Sequence, residues 1–435
     1  RLLQPLADLP AYRALLDSAL VEPVHGPLLG RVTDRRAAVW VRTSDEKEVS
    51  VRLWPVEAPD SVRISTSVQT NAEEDYTATV EIDGLQPNTA YAYEVLVDGT
   101  AAPRTWTFRT MPAAGRPTRF TVAFGGCAGY TPWHERMWHT IAAQNPLAFL
   151  TLGDNVYIDH PTLPDVQRYV YYRRQSRPEY STLTATTPVF AIWDDHDFGE
   201  NDSFGGPEED PVPWREDVWR LYRQNWVNPA YGGGEEEPGV WFNTRIADVE
   251  FFFLDGRYYR TPPGHAAPTM LGEVQLGWLL DALRASTATF KVLVSPVPWA
   301  FGTKTGTQMT PAGRLPGAVD TWEGFPDERE TIFSAIEADS ISGVVLLSAD
   351  RHRSDLWRID RPNGYDFYEF ESGRLTNVHT HGCMPGALQC YNAEPSFGLL
   401  TFDTQRADPT VTYQVLNIDS ELAYTFEVPL SELSR

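Results

Sequence analysis

Cysteine is scarce in this chain: three occur among 435 residues, too few for a scaffold built on disulfides. Long apolar runs are missing as well. No stretch approaches the roughly 20 residues that a membrane-crossing helix requires. Arg1-Leu2-Leu3-Gln4 lacks the apolar core of a signal peptide, so a secreted, periplasmic or cell-surface placement is expected only of a mature chain whose leader lies outside this sequence. Positive charge is in the minority, with 36 Lys and Arg against 59 Asp and Glu and a formal net charge of −23. That balance favours solubility and repels nucleic acid and anionic membranes at long range. Sequence-specific nucleic-acid binding is therefore not expected, and a phosphate-bearing substrate needs a local cationic site.

What is present points to a globular protein. Hydrophobic residues make up 42% and tryptophans number 14, well outside the composition of a disordered chain. The length allows two domains with a sizeable core, and a monomer is the favoured state. Cys383 and Cys390 are separated by Met-Pro-Gly-Ala-Leu-Gln. Either they close a small loop, which favours an oxidising compartment, or they are two unpaired thiols. Cys127 would be left over.

Three segments are expected. Residues 1–22 have a helical pattern, with Leu15, Leu16 and Leu20 on one face, and are assigned as an N-terminal arm. Residues 23–112 show short alternating strands, among them Ala38–Arg42, Val49–Trp54, Tyr76–Ile82 and Ala90–Val95, spaced as in a β-sandwich. Leu85-Gln86-Pro87-Asn88-Thr89-Ala90-Tyr91 matches a tyrosine corner, and Trp40 is the candidate buried tryptophan. After a linker at Met111–Pro117, residues 117–435 alternate strands with helical patterns at Trp133–Ala143, Val166–Arg174, Arg215–Trp226, Val274–Arg284 and Glu328–Ala338, which predicts a layered α/β domain.

The chemistry gathers at strand ends. Apolar runs stop at Gly125-Gly126-Cys127, at Gly153-Asp154-Asn155-Val156-Tyr157, at Trp193-Asp194-Asp195-His196-Asp197 and at Ala349-Asp350-Arg351-His352. In an α/β sheet such stops line one edge, where ligands bind. Crowded carboxylates are costly to desolvate without a cation or a shared proton, so the cluster predicts a metal site. Taken singly, Asp154 could be a turn residue, Tyr157 core and Asp194-Asp195 a solvated loop; four clusters together argue against that. Tyr130, His134 and His139 are taken as structural or as supports behind the ligands.

These motifs, with Cys127 after its strand and Leu254-Asp255-Gly256-Arg257 in the middle, resemble the PhoD-type alkaline phosphatase family, a branch of the calcineurin-like metallophosphoesterases, over roughly residues 117–400. The resemblance implies a four-layer α/β/β/α metallophosphoesterase sandwich preceded by a fibronectin III/Ig-like β-sandwich. It also implies a dinuclear or trinuclear site with Fe3+ and Ca2+. The hard Fe3+ ion suits Asp154 and Tyr157, with Cys127 as thiolate and His352 as imidazole completing its sphere. Asp195 and Asp350 stand where related two-metal phosphatases carry amide and nitrogen ligands, which turns the second position toward Ca2+, with Asp154 bridging. Ala349 stands where the family often has glycine, so the turn into Asp350 is expected to differ slightly.

The implied reaction is hydrolysis of a phosphate ester, small molecule or phosphodiester polymer, by a metal-bound hydroxide. His196 is assigned to leaving-group protonation or transition-state hydrogen bonding, Asn155 to a hydrogen bond on a phosphate oxygen, and Arg257 to a forked contact with the same group. For Arg257 the alternative is an ion pair with Asp255 or another core acid. Asp197, Asn201 and Asp202 are candidates to orient His196 or a bound water. Trp133, Trp214, Trp241, Trp299 and Trp322 are candidates to shape the mouth. The rival readings are a phosphodiesterase or phospholipase specific for diesters, and a non-catalytic, calcium-stabilised cell-surface binding protein.

Overall fold

The computed structural model describes residues 20–304, 309–310, 313–314 and 320–434. Most of the expected N-terminal arm lies outside them, and residues 20–22 are not helical. From His25 to Arg109 the described chain forms two antiparallel sheets, one of three strands and one of six. The strands Ala37–Arg42, Glu48–Pro55, Thr77–Ile82 and Ala90–Val97 fall where alternation placed them. The Gln86 N–H donates to the Tyr91 hydroxyl at 2.9 Å, which is the tyrosine-corner bond. Trp40 is buried, but its indole donates to the Gln224 carbonyl at 2.8 Å, so it joins these sheets to the part that follows.

That part is built on two sheets. In the first, Val189–Ile192, Phe149–Leu152 and Arg119–Gly125 run parallel, and Ser396–Asp403, Thr410–Asn417 and Leu422–Pro429 extend it antiparallel. In the second, Val249–Phe253, Phe290–Val294, Val344–Ser348 and Phe367–Ser372 are parallel neighbours; Phe242–Ile246 adds antiparallel at one edge, and Ser354–Ile359 then Gln389–Tyr391 at the other.

The period of two in side-chain direction sorts the second sheet's residues into two cores. Phe251, Phe253, Val292, Val294, Val345 and Leu347 face the first sheet, where Phe251 meets Phe402 edge-on with ring centroids 5.8 Å apart. Phe252, Leu293, Val344 and Leu346 face outward under the helices Glu273–Ala285 and Pro326–Ala338, with Leu279, Leu283, Ile332, Phe333 and Ile336. On the far side the helix Met137–Ala143 lays Trp138 against Phe149. Helices thus cover the outer faces of two facing sheets, and fully apolar strands such as Val344–Ser348 are buried on both sides, as parallel strands are.

Four of the five expected helices appear within one or two residues of their patterns. The fifth begins at Met137 rather than Trp133, after a turn at Thr131–His134. Two further helices were not expected, the short Asp195–Phe198 and the longer Pro178–Thr186. In the longer one Pro178 at the first helical position fixes the starting angle, and Tyr180 and Leu183 are buried. Among the described residues no helix is long and apolar enough to cross a membrane.

Candidate metal centre

The C-terminal ends of the parallel strands in both sheets carry the candidate ligands. Cys127, Asp154, Asp350 and His352 each take the left-handed backbone conformation, with φ of +57°, +53°, +67° and +50°. That geometry costs an L-residue on the order of 1 kcal/mol, and such conformations concentrate at functional sites. Gly153 (φ +100°) leaves the space the site needs: a Cβ there would lie 2.5 Å from the Asp194 Cβ. Ala349 is not in the left-handed region, and the turn places that step on Asp350; the alanine is therefore accommodated.

Among the described residues three groups have ligand atoms within 4.8 Å of one another: Cys127, Asp154 and His352; Asp154, Asp195 and His196; and Asp195, Asp202 and Asp320. Asp154 and Asp195 are the shared members, so the three form one continuous centre. The Tyr157 hydroxyl donates to Asp154 Oδ2 at 2.8 Å, which puts the phenol at the first group. Asp350 belongs to none of the three; its carboxylate pairs with Arg351 Nη1 at 3.0 Å.

The electrostatics fit a cation. Burial, aided by Asp154, Asp350 and Asp194, pushes the Cys127 thiol well above its usual pKa, so a thiolate there requires a metal. Burial and Asp195 push Asp154 well up in the same way. His352 is lowered to about 3, chiefly by burial, and is held as neutral imidazole. Its Nδ1–H donates to the His379 carbonyl at 3.2 Å, leaving Nε2 as the nitrogen available to a metal. For His196 burial works downward, but the hydrogen bond to Asp159 and the charges of Asp154 and Asp195 outweigh it and raise the imidazole to about 10. A cation on those two aspartates would cancel much of that pull.

Two assignments from the sequence need correction. Asn155 has no proton left for a phosphate: its amide donates to the Ile192 carbonyl at 2.8 Å and to Asp197 Oδ2 at 3.0 Å, and its oxygen accepts from the Thr151 hydroxyl. Arg257 is 0% exposed, with Nε on Asp194 at 2.6 Å and Nη1 on Asp320 at 2.7 Å. It neutralises core acids, and Asp255 instead accepts from Trp193 Nε1 and the backbone N–H groups of Val240, Arg257 and Tyr258.

Asp197 likewise serves the backbone. It accepts from the N–H groups of Asn155, Val156 and Asp194 at 2.9–3.2 Å and so locks the Asp154 turn to the short helix Asp195–Phe198. Asn201 is exposed, whereas Asp202 is part of the third group. His134 Nδ1–H donates to the Thr376 carbonyl at 3.1 Å, His139 is exposed, and Tyr130 lies under Arg173 at 4.2 Å. Trp299 and Trp322 stack on each other in the core, Trp241 is buried, Trp214 half-buried, and Trp133 is 68% exposed.

The sequence reading missed Asp159, whose carboxylate binds His196 Nδ1 at 2.5 Å, and Asp320, which is held by Arg257, Arg260 and Lys304. Asp159 sits two residues past Tyr157, close enough to have been suspected. Nothing local marks Asp320.

Fold and site together define a two-sheet α/β protein with a candidate metal centre at the strand ends. The chain belongs to the PhoD-like phosphatase family, which it matches over residues 122–397; residues 21–113 match a second family described only as a domain of unknown function, DUF7800. It is 27% identical over 320 residues to alkaline phosphatase D of Bacillus subtilis (strain 168), a match covering 63% of this chain and 53% of that protein, so the chain spans about half the length of that relative. A solved structure of PhoD superposes with a TM-score of 0.79 at 18% identity, covering 94% of this chain and 91% of that one. Purple acid phosphatase PPD1 from yellow lupin (Lupinus luteus) seeds shares the fold at a TM-score of 0.65 and 12% identity, covering 93% of this chain and 74% of that one.

Proposed function

We propose that this chain hydrolyses phosphate esters, as an alkaline phosphatase or phosphodiesterase, at a centre taking Fe3+ at the Cys127 end and Ca2+ at the acidic end. The observation that carries the reading is the approach of Cys127, Asp154 and His352 to within 4.8 Å from three strand ends on two sheets. Membership of the PhoD-like phosphatase family supports the reaction class. Thiolate, imidazole and phenol are donors that a purely structural calcium site does not use, which disfavours a binding protein. Asp195, Asp202 and Asp320 offer oxygen alone, as calcium prefers.

Bound cations would neutralise the ester's charge and lower the pKa of a coordinated water. The chain's own groups do the rest. Cys127, Asp154, Tyr157 and His352 hold the first position, and Asp154 and Asp195 the second, with Asp202 and Asp320 beside it; Asp350, expected as a further ligand, pairs with Arg351 through Oδ2. His196, anchored through Nδ1 by Asp159 and grouped with Asp154 and Asp195, protonates the leaving oxygen. Residues 23–112 are read as a fibronectin III-like β-sandwich in front of a catalytic domain at 117–435. The Cys383–Cys390 disulfide supports an oxidising, extracytoplasmic setting.

Iron on Tyr157 should give a visible phenolate-to-iron absorption band, and activity removed by EGTA should return with calcium. A colourless, iron-free, active enzyme would overturn the iron assignment. p-Nitrophenyl phosphate against its bis ester distinguishes monoesterase from diesterase.

A further inference from the structure

The loop between the strands Phe367–Ser372 and Gln389–Tyr391 touches three of the segments that carry metal ligands. At its root the Thr376 hydroxyl donates to the Gly129 carbonyl at 2.8 Å, and the Thr376 carbonyl meets His134 Nδ1 at 3.1 Å, both just beyond Cys127. Asn377 Nδ2 donates to the Tyr157 hydroxyl oxygen at 2.9 Å. The orientation of that amide is fixed, because its Oδ1 accepts the His379 N–H at 2.9 Å, which leaves only the NH2 to face Tyr157. Gly129 makes room for it; a Cβ there would lie 2.6 Å from Asn377 Nδ2. The His379 carbonyl and the Thr380 hydroxyl then grip His352 at Nδ1 and at its carbonyl, at 3.2 and 3.0 Å.

The loop is itself tied off. Arg374, in the unusual conformation φ +131°, spans its neck with bonds to the Asn392 carbonyl at 2.9 Å and the Val378 carbonyl at 3.4 Å. Asn392 Nδ2 reaches the His381 carbonyl at 3.0 Å. Cys383 and Cys390 form a disulfide, and Cys390 lies in a strand paired with Ser354–Leu356, just past His352. A segment that is mostly exposed is thus held rigidly over one end of the centre.

We propose that the disulfide-closed loop from Thr376 to Asn392 sets the geometry of the metal position formed by Cys127, Asp154, Tyr157 and His352, with Asn377 as the positioning residue on Tyr157. The inference rests on the reading that these four residues hold a cation, whichever ion it is. An amide N–H suits an anionic phenolate oxygen that has given up its proton, and the His379 carbonyl fixes the tautomer of His352. Hydrogen-bond partners behind metal ligands typically contribute about 10–100-fold in metal affinity or activity.

The test compares the full-length, metal-loaded protein with Asn377→Leu and with the double variant Cys383→Ser/Cys390→Ser. Metal retention is followed by elemental analysis through a chelator titration, together with the absorption spectrum. We expect each variant to release the ion about 10–100-fold more readily. Asn377→Leu should also move the phenolate band to longer wavelength, since a phenolate without its donor gives up electron density more easily. Wild-type retention and an unmoved band in Asn377→Leu, with wild-type retention in the folded disulfide variant, would overturn the proposal. A colourless wild-type protein would remove iron from the site but leave the retention measurement to decide the role of the loop.

Discussion

Replacing Arg257 by methionine tests whether its guanidinium holds the scaffold or the substrate. The side chain is fully buried and bonds Asp194 through Nε at 2.6 Å and Asp320 through Nη1 at 2.7 Å, with Asp195 3.8 Å from Nη2. Breaking a buried ion pair by removing one partner costs about 3–5 kcal/mol, because the other charge is left uncompensated. Here the two acids fare differently. Asp320 keeps Arg260 at 2.8 Å and Lys304 at 3.6 Å, whereas Asp194 loses its cation and is itself 1% exposed. The loss concentrates at one carboxylate, which can take up a proton, so the lower end applies: about 3 kcal/mol of unfolding free energy. Arg257→Lys should fall between, since one ammonium cannot fork to both acids. Urea unfolding measures the stability, and kcat and KM on p-nitrophenyl phosphate are read well below the midpoint. A variant with the wild-type midpoint and a raised KM alone would refute the reasoning and return Arg257 to the phosphate.

Two further outcomes follow from the same network and its surroundings. Asp197→Ala leaves three backbone N–H groups and the Asn155 amide without their acceptor; at about 1–3 kcal/mol for each unsatisfied group, partly relieved by relaxation, a loss of about 3 kcal/mol and a drop in metal content are expected, and wild-type values of both would disprove the locking role. His25 accepts from the Arg42 guanidinium at 3.2 Å and bonds Ser176 Oγ at 3.0 Å, and burial, then Arg42, lowers it from 6.5 to about 4. The unfolded chain takes up that proton first, so stability is full above pH 6.5 and falls as pH drops toward 4, by at most about 3 kcal/mol. His25→Asn should flatten that part of the pH–stability curve, and an unchanged slope would count against it.

Part of the centre was legible because its signal is local. An apolar, β-rich run followed at once by Cys, Asp or His marks a strand end in any α/β protein, and Cys127, Asp154, Asp195 and His352 each announce themselves within a few residues. Asn155 and Arg257 were misread for the converse reason. Their type and strand-end position suit phosphate contact, but Thr151, Ile192 and Asp197 consume one side chain and Asp194 and Asp320 the other.

By itself, then, the sequence determined the alternation of strands and helices, the family and the residue types gathered along one edge, since all of these depend on short-range pattern. Only the folded chain decided that Asp320 joins Asp195 and Asp202, that Asp159 holds His196, and that a loop closed by Cys383 and Cys390 reaches Tyr157 and His352. Those contacts join positions up to 220 residues apart, and a hydrogen bond is fixed by where two atoms meet, which chain order does not specify.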